Sequence, residues 1–74
     1  MTRLPMISAR RMTKALERAG FVADGQKGSH LYFWHPQRKI TTAVPVHPGD
    51  LKRSLVRAIL QQIGMTEDEF RKLL

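Results

Sequence analysis

Cysteine is absent from the 74 residues, and its absence removes several kinds of chemistry. Without thiols there is no disulfide framework, no thiolate nucleophile and no cysteine-based zinc or iron-sulfur site. Long apolar runs are also missing. The longest, residues 31–34, is far short of the ~20 residues that a membrane span needs, and residues 1–11 contain Pro5, Ser8 and three arginines where a secretory signal needs an apolar stretch. We therefore expect a cytoplasmic protein without a transmembrane segment.

Acidic side chains are scarce. Six Asp and Glu stand against 13 Lys and Arg, a net charge of +7, and residues 1–63 hold eleven of the basic and three of the acidic side chains. A domain with this excess of positive charge attracts polyanions, and its binding releases the counterions that are condensed on them, which favours association. Nucleic acid is therefore the first partner to consider and an anionic membrane the second. The alternatives are a ribosome-associated protein and a soluble protein that is merely basic.

The length of the chain limits its architecture. A chain this short buries only about 60% of the surface that its unfolded form exposes, which leaves no room for a second core, a dinucleotide-binding domain or a deep substrate cavity. At 42% apolar residues, the composition is still that of a folding domain. We expect one domain over residues 1–74, with its chemistry at the surface.

Two segments have the periodicity of amphipathic helices. The first, about residues 9–19, begins after a cap at Ser8 and stops at Gly20. The second follows Asp50 and closes at Gly64. The buried stripe predicted for the first helix is Met12, Ala15, Leu16 and Ala19, and that for the second is Leu51, Leu55, Ile59 and Ile63, with Ala58 and Gln62 between them.

The outer faces of both helices are predicted to be basic. These faces carry Arg10, Lys14 and Arg18 in the first helix, and Lys52, Arg53 and Arg57 in the second. After Gly64, Thr66 and Glu69 have the spacing of a capping box, with Met65 and Phe70 at the positions of a hydrophobic staple. We therefore expect a short third helix that runs to Leu74.

Three strand candidates lie between the helices. They are residues 21–24, residues 30–35 and residues 40–46, separated by a glycine-containing connection at 25–29 and a hairpin loop at 36–39. Pro45 favours an edge position for the third strand. The order helix, three strands, helix predicts an α+β two-layer sandwich, in which helices cover one face of a three-stranded antiparallel sheet. Alternation along the second strand then puts Leu31 and Phe33 under the helices and His30, Tyr32 and Trp34 on the open face.

His30 is the strongest candidate for chemistry. The run Gly28-Ser29-His30 places an imidazole where a glycine-containing connection enters a strand, and glycine lets another backbone approach closely. Histidine ordinarily titrates near pH ~6.5, so it suits proton transfer, and RNA carries its own nucleophile in the 2′-hydroxyl. Lys27 is the candidate electrostatic partner, Ser29 a phosphate contact, and Tyr32 or Trp34 a surface for an unpaired base. A surface histidine at the start of a strand is the alternative.

The other two histidines are expected to be structural. His35 and His47 each precede a proline in a turn-like setting. A metal site would need close approach of histidines plus a carboxylate, and Asp24 and Asp50 are the only acids near them in sequence. No HExxH or comparable spacing is present. We expect neither a metal nor a cofactor.

Several short runs occur in an order and spacing that resemble one family. They are Leu4-Pro5-Met6-Ile7-Ser8, Lys14-Ala15-Leu16-Glu17-Arg18-Ala19-Gly20-Phe21, Gly28-Ser29-His30, Val44-Pro45-Val46-His47, Leu51, Leu55, Ala58-Ile59-Leu60 and Gly64-Met65-Thr66. The combination resembles the HicA family of mRNA interferase toxins over about residues 4–74. Arg53 and Ser54 depart from the Gly-Thr that the family often has before the residue matching Leu55.

The resemblance implies a fold similar to a double-stranded-RNA-binding domain, an RNA-cleaving activity that halts translation, and a HicB-type antitoxin that masks the site. The catalytic histidine of the family maps onto His30. The favoured hypothesis is thus a toxin that cleaves single-stranded mRNA without a metal. Its RNA contacts would be Lys27, Gly28, Ser29, Tyr32, Arg53 and Arg57. A non-catalytic RNA-binding module is the alternative, and a protein whose basic surface fits an acidic partner is a third reading.

Overall fold

The computed structural model describes residues 4–74, so the first three residues of the expected 1–74 domain lie outside the described part of the chain. The elements in chain order are β1 Ile7–Ser8, α1 Ala9–Arg18, β2 Val22–Lys27, β3 His30–His35, β4 Ile40–Pro45, β5 Asp50–Leu51, α2 Arg53–Ile63 and α3 Glu67–Arg71. This order confirms the α+β class and adds two short strands, β1 and β5, that were not predicted. No helix within residues 4–74 combines the length and the hydropathy of a transmembrane span.

Helix α1 starts and stops where the sequence predicts. The Ser8 Oγ accepts a hydrogen bond of 3.2 Å from the backbone N–H of Arg11, which satisfies one of the N–H groups that a helix leaves unpaired at its start. After the C-cap at Ala19, Gly20 has a φ of 99°, in the left-handed region that glycine adopts without a Cβ clash. Of the four residues expected to be buried, Ala19 is half-buried and the others are buried.

The main sheet is antiparallel with the order β2-β3-β4, as predicted. β3 pairs with β4 along its whole length, from His30 opposite Pro45 to His35 opposite Ile40. β4 is an edge strand of this sheet, which suits Pro45 because proline has no N–H to donate. The two short strands form a separate pair, with Ile7 opposite Leu51, and this pair joins the segment before α1 to the segment before α2.

Strand β2 is longer than predicted, and the connection after it is shorter. Pairing continues to Lys27, so only residues 28 and 29 form the turn. Ala23 lies opposite Phe33 and Gln26 opposite Leu31, which means that three steps along β2 match two steps along β3. Gly25, in this bulge, has a φ of 102°. The glycine that suggested a loop instead marks a bulge inside a strand.

The predicted stripe of the second helix is buried for the most part. Leu51 is buried, although it lies in β5, Ile59 and Ile63 are buried, and Leu55 packs half-buried against the core. Val56 and Leu60 are buried as well, whereas Ala58 and Gln62 are exposed. Steps of four residues drift around a helix that has 3.6 residues per turn, so Leu55 lies at the edge of the buried face. The predicted stop at Gly64, with a φ of 72°, is confirmed.

Helix α3 begins with the predicted capping box. The Thr66 Oγ1 accepts from the Glu69 backbone N–H at 3.1 Å, and the Glu69 Oε1 accepts from the Thr66 backbone N–H at 2.8 Å. Phe70 is buried, and Met65 packs half-buried against the same core. The helix itself ends at Arg71, three residues before the predicted end.

The helices cover one face of the main sheet. α1 packs against β2 and β4, and α2 packs against β4. Phe33 and Val44, on the covered face, are fully buried, and Leu31 packs against the same core. The two-layer arrangement is therefore confirmed, and so is the inward direction of Leu31 and Phe33.

Candidate active site

His30 lies at the tip of the β2-β3 hairpin. The tip is a two-residue turn, Gly28-Ser29, in which only Gly28 has a positive φ, of 60°. This is the pattern of a type II′ turn, whose twist matches that of the flanking strands. His30 is exposed, and a Cβ added to Gly28 would meet no atom within 4 Å. A large ligand therefore has open access to the backbone beside the imidazole.

A hydrogen bond fastens the tip to the end of β4. The Ser29 carbonyl oxygen accepts from the backbone N–H of Val46 at 2.6 Å. His30 is also paired with Pro45 on that side and with Lys27 on the other. The imidazole thus starts from a backbone position that three strands hold, although its ring is at the surface.

Lys27 shares a face of the sheet with His30 because the two residues flank the two-residue turn. Directly opposed residues of antiparallel strands point to the same side, with Cβ atoms about 4.5–5.5 Å apart. The extra residue at positions 24–25 lies farther from the turn, where it lets Ala23 and Gln26 both point to the covered face, opposite Phe33 and Leu31. The register pairs Lys27 with His30. The tight turn therefore places a cation beside the imidazole.

We call the side of the main sheet away from the helices the open face. Its paired residues are Val22 and Lys27 from β2, His30, Tyr32 and Trp34 from β3, and Thr41, Ala43 and Pro45 from β4. Tyr32 and Trp34 are half-buried, and Val22 is 54% exposed. The predicted outward direction of the two aromatic side chains agrees with this register.

The cross-strand neighbours were not identified from the sequence. Val22 and Thr41 flank Trp34, and Asp24 lies in the bulge opposite Tyr32. Gly25 inside an apolar-polar alternation was the available signal, since an isolated glycine in a strand often marks a bulge.

The two candidate arginines of α2 are in the helix layer. The β4 strand ends opposite His30, and α2 then returns toward the far end of the sheet, where Gly64 lies next to Arg38 of the β3-β4 loop. The N-terminal end of α2 is therefore at the His30 end of the molecule. The Arg53 Nε donates to the Leu4 carbonyl oxygen at 2.7 Å, so this side chain also joins α2 to the segment before β1.

Arg57 is paired with an acidic residue of α3. Its Nε lies 3.4 Å from the Glu67 Oε2, and both side chains are at least 40% exposed. A pair this exposed is weak, on the order of 0–1 kcal/mol. A phosphate group that approached Arg57 would compete with Glu67 for it.

His35 has the structural environment expected of it. It is buried, its Nδ1 accepts from the backbone N–H of Arg38 at 3.1 Å, and its ring meets Phe21 edge-on at a centroid distance of 5.0 Å. His47 is exposed, with its Nδ1 3.0 Å from the Pro48 carbonyl oxygen. Among residues 4–74, no three His, Asp or Glu side chains lie close enough together to hold a metal ion.

Residues 9–65, more than half of the chain, match the family described as HicA toxin of bacterial toxin-antitoxin. The chain belongs to the HicA toxin family. A comparison with curated proteins gave no match. The matched residues of this HicA chain contain α1, the whole main sheet and α2, and they end before α3. The toxin role follows from the family, and a toxin of this kind of system implies an antitoxin partner.

Proposed function

We propose that this HicA-family toxin is a metal-independent endoribonuclease that cleaves mRNA in the cytoplasm and so inhibits translation, with His30 as the residue that transfers the proton. The observation that carries the proposal is the juxtaposition of an exposed His30 and Lys27 on one face of a hairpin tip with open access. Family membership supports the toxin role. The net charge of +7 supports a polyanionic substrate.

The reaction uses the nucleophile that RNA already contains. His30 removes the proton from a 2′-hydroxyl, the 2′-oxygen forms a bond to the adjacent phosphorus, and the bond from phosphorus to the 5′-oxygen breaks. A proton donor then neutralises the departing 5′-oxygen. Lys27, beside His30, offsets the charge that builds up on the phosphorus-bound oxygens in the transition state.

The remaining candidate residues bind and orient the RNA. Gly28 lets the RNA backbone approach the tip, and Ser29 offers a hydroxyl to a phosphate oxygen. Tyr32, on the same face as His30, stacks on a base. Arg53, at the start of α2, and Arg57, about one turn further along the helix, contact phosphates farther along the strand.

The test compares two histidine substitutions in the same protein. His30→Ala is expected to abolish cleavage of an unstructured RNA while leaving the unfolding transition unchanged, since the side chain is exposed. His47→Ala is the matched control, because His47 is also exposed and has no role in the proposed site; it is expected to cleave at the parental rate. Both reactions are run with excess chelator, in which the parental rate is expected to persist.

Three outcomes would contradict the proposal. Cleavage by His30→Ala at the parental rate would remove the assigned role of His30. Loss of activity in chelator, restored by added metal, would show a metal-dependent reaction. RNA binding without product by the parental protein would favour a non-catalytic RNA-binding module.

The partner is proposed to be a HicB-type antitoxin that covers the hairpin tip. In a host without the antitoxin, expression of the parental protein is expected to stop growth, and His30→Ala is expected not to. Co-expression of the antitoxin should restore growth. Persistent growth arrest in the presence of the antitoxin would contradict this pairing.

A further inference from the structure

We propose that the open face is a stacking platform for unpaired nucleotides, on which Tyr32 and Trp34 take bases next to the linkage held at His30. This inference rests on the proposed nuclease function and adds where the unpaired bases of its RNA lie on the protein. It also assigns a role to Trp34, which the proton-transfer chemistry does not use.

The first argument is the straight line that β3 imposes. His30, Tyr32 and Trp34 alternate with inward residues along one strand, so each is two residues from the next. At a rise of about 3.4 Å per residue, the backbone positions that carry the two rings are ~7 Å apart, and Tyr32 is the same distance from His30 along the strand. A polynucleotide bound at His30 and extended along β3 therefore passes over both rings.

The second argument is that this spacing excludes a paired strand. In a duplex each base lies only about 3.4 Å from the next along its strand, and both of its faces are covered by neighbouring base pairs. Rings ~7 Å apart require bases that have separated from one another. Such bases are exposed in single-stranded RNA, where stacking on aromatic side chains is a common mode of binding.

The third argument is the distribution of charge and bulk on the open face. Lys27 lies at the His30 end, where the reacting phosphate must sit. Asp24 lies in the bulge opposite Tyr32, and its carboxylate repels phosphate while it accepts hydrogen bonds from base edges. Thr41 and Ala43, opposite the rings on β4, are small. The middle of the open face thus suits bases, and its tip suits phosphate.

Trp34 provides the measurement, because it is the single tryptophan of the chain. In the His30→Ala protein, which prevents turnover, an unstructured RNA oligonucleotide is expected to quench the tryptophan fluorescence on binding. The same oligonucleotide annealed to its complement is expected to leave the fluorescence unchanged. Trp34→Leu, which keeps an apolar side chain, should bind the unpaired RNA about tenfold or more weakly, and Trp34→Phe, which keeps a ring, should retain most of the affinity.

Cleavage by proteins that retain His30 separates this inference from the proposed function. We expect Trp34→Leu to lower kcat/KM for a long unstructured RNA and to have no effect on an RNA trimmed too short to reach Trp34. Equal kcat/KM for the parental and Trp34→Leu proteins on the long RNA would overturn the platform and leave the nuclease intact. Quenching by RNA without any cleavage would support the platform and contradict the nuclease.

Two further results are decisive. Tryptophan fluorescence that responds to the antitoxin but not to unpaired RNA would make the open face a protein-docking surface and overturn the proposal. If Trp34→Leu does not give the parental unfolding transition, Tyr32→Leu replaces it, with the Trp34 fluorescence as the reporter. In that variant an unchanged RNA affinity would overturn the proposal, and a loss of about tenfold or more would support it.

Discussion

Gly20 is the glycine at which an added Cβ would come nearest to another atom. Its φ is 99°, and a Cβ added there would lie 2.9 Å from the His35 Nε2. The His35 ring is held on its other sides by the edge-on contact with Phe21 and by the hydrogen bond from the Arg38 N–H. The ring therefore has to give up one of these contacts to make room for a methyl group.

Gly20→Ala is predicted to destabilise the protein by about 1–3 kcal/mol from backbone strain, with the displacement of His35 adding to that loss. Gly25→Ala is the matched control, since Gly25 has a similar φ of 102° but no atom within 4 Å of an added Cβ. Urea unfolding of both variants measures the difference. Equal losses would mean that His35 moves aside at no cost.

At the scale of elements, α3 depends on its cap. A helix of five residues is too short to persist on its own local interactions, so packing of Phe70 and the reciprocal Thr66-Glu69 hydrogen bonds must hold it. The hydrogen bond from the Thr66 backbone N–H, followed by that from the Thr66 side chain, lowers the pKa of Glu69 from its usual value near 4.5, and Arg38 and Lys72 act weakly in the same direction. The ionised carboxylate is thus the form that the folded state favours.

The sign of the pH dependence follows from this lowered pKa. The stabilisation from Glu69 is fully present above the usual pKa near 4.5 and is lost as the pH falls through the lowered value. Glu69→Gln keeps an acceptor for the Thr66 N–H but does not titrate. We predict that the difference in unfolding free energy between the parental and Glu69→Gln proteins is constant at neutral pH and shrinks in acid. A difference independent of pH in urea titrations would show that the cap does not depend on the charge.

The elements differ in how well the sequence predicted them. α1 was predicted to within a residue because its cap, apolar period and terminal glycine all agree with one another. β2 was predicted too short because Gly25 and Gln26 have little strand propensity, and the pairing that extends the strand comes from β3. The β1-β5 pair is two residues long on each side, and so short a pair has no pattern of its own in the sequence.

The candidate site was predictable in part because three of its side chains lie on β3, a strand with a clear sequence pattern. Strict alternation over six residues predicted the outward direction of His30, Tyr32 and Trp34. The position of Lys27 beside His30 depends on the two-residue length of the turn, which the local sequence, with its five-residue polar connection, does not determine. The pairing of Arg57 with Glu67 and the bond from Arg53 to Leu4 join residues that are distant in the chain or in different elements, so only the folded structure reveals them.

At the scale of the whole molecule, the excess of basic over acidic side chains sets how RNA affinity responds to salt. Neutralised phosphates release condensed counterions, so the logarithm of the binding constant is predicted to fall steeply and linearly with the logarithm of the salt concentration. Binding is measured in the His30→Ala protein to prevent cleavage. A flat dependence would contradict phosphate contacts as the main source of affinity.

A pair of lysine substitutions localises these contacts. Lys27→Gln is predicted to reduce the slope by about 0.7, the value for one phosphate contact on a single strand. Lys72→Gln removes the same charge next to the acidic start of α3, outside the proposed site, and is predicted to leave the slope unchanged. The same slope for both variants would mean that Lys27 contacts no phosphate.

The bulge at positions 24–25 has a consequence for any change in the length of this hairpin. Because Lys27 and His30 flank the two-residue turn, they stay opposite each other whatever the number of residues before them, and the bulge decides only which way the start of β2 faces. Deleting one bulge residue would restore regular alternation with Ala23 still opposite Phe33, whereas deleting both would turn Val22 and Ala23 to the opposite faces of the sheet. Natural or engineered length variants of this strand should therefore tolerate the loss of one of these residues but not of both.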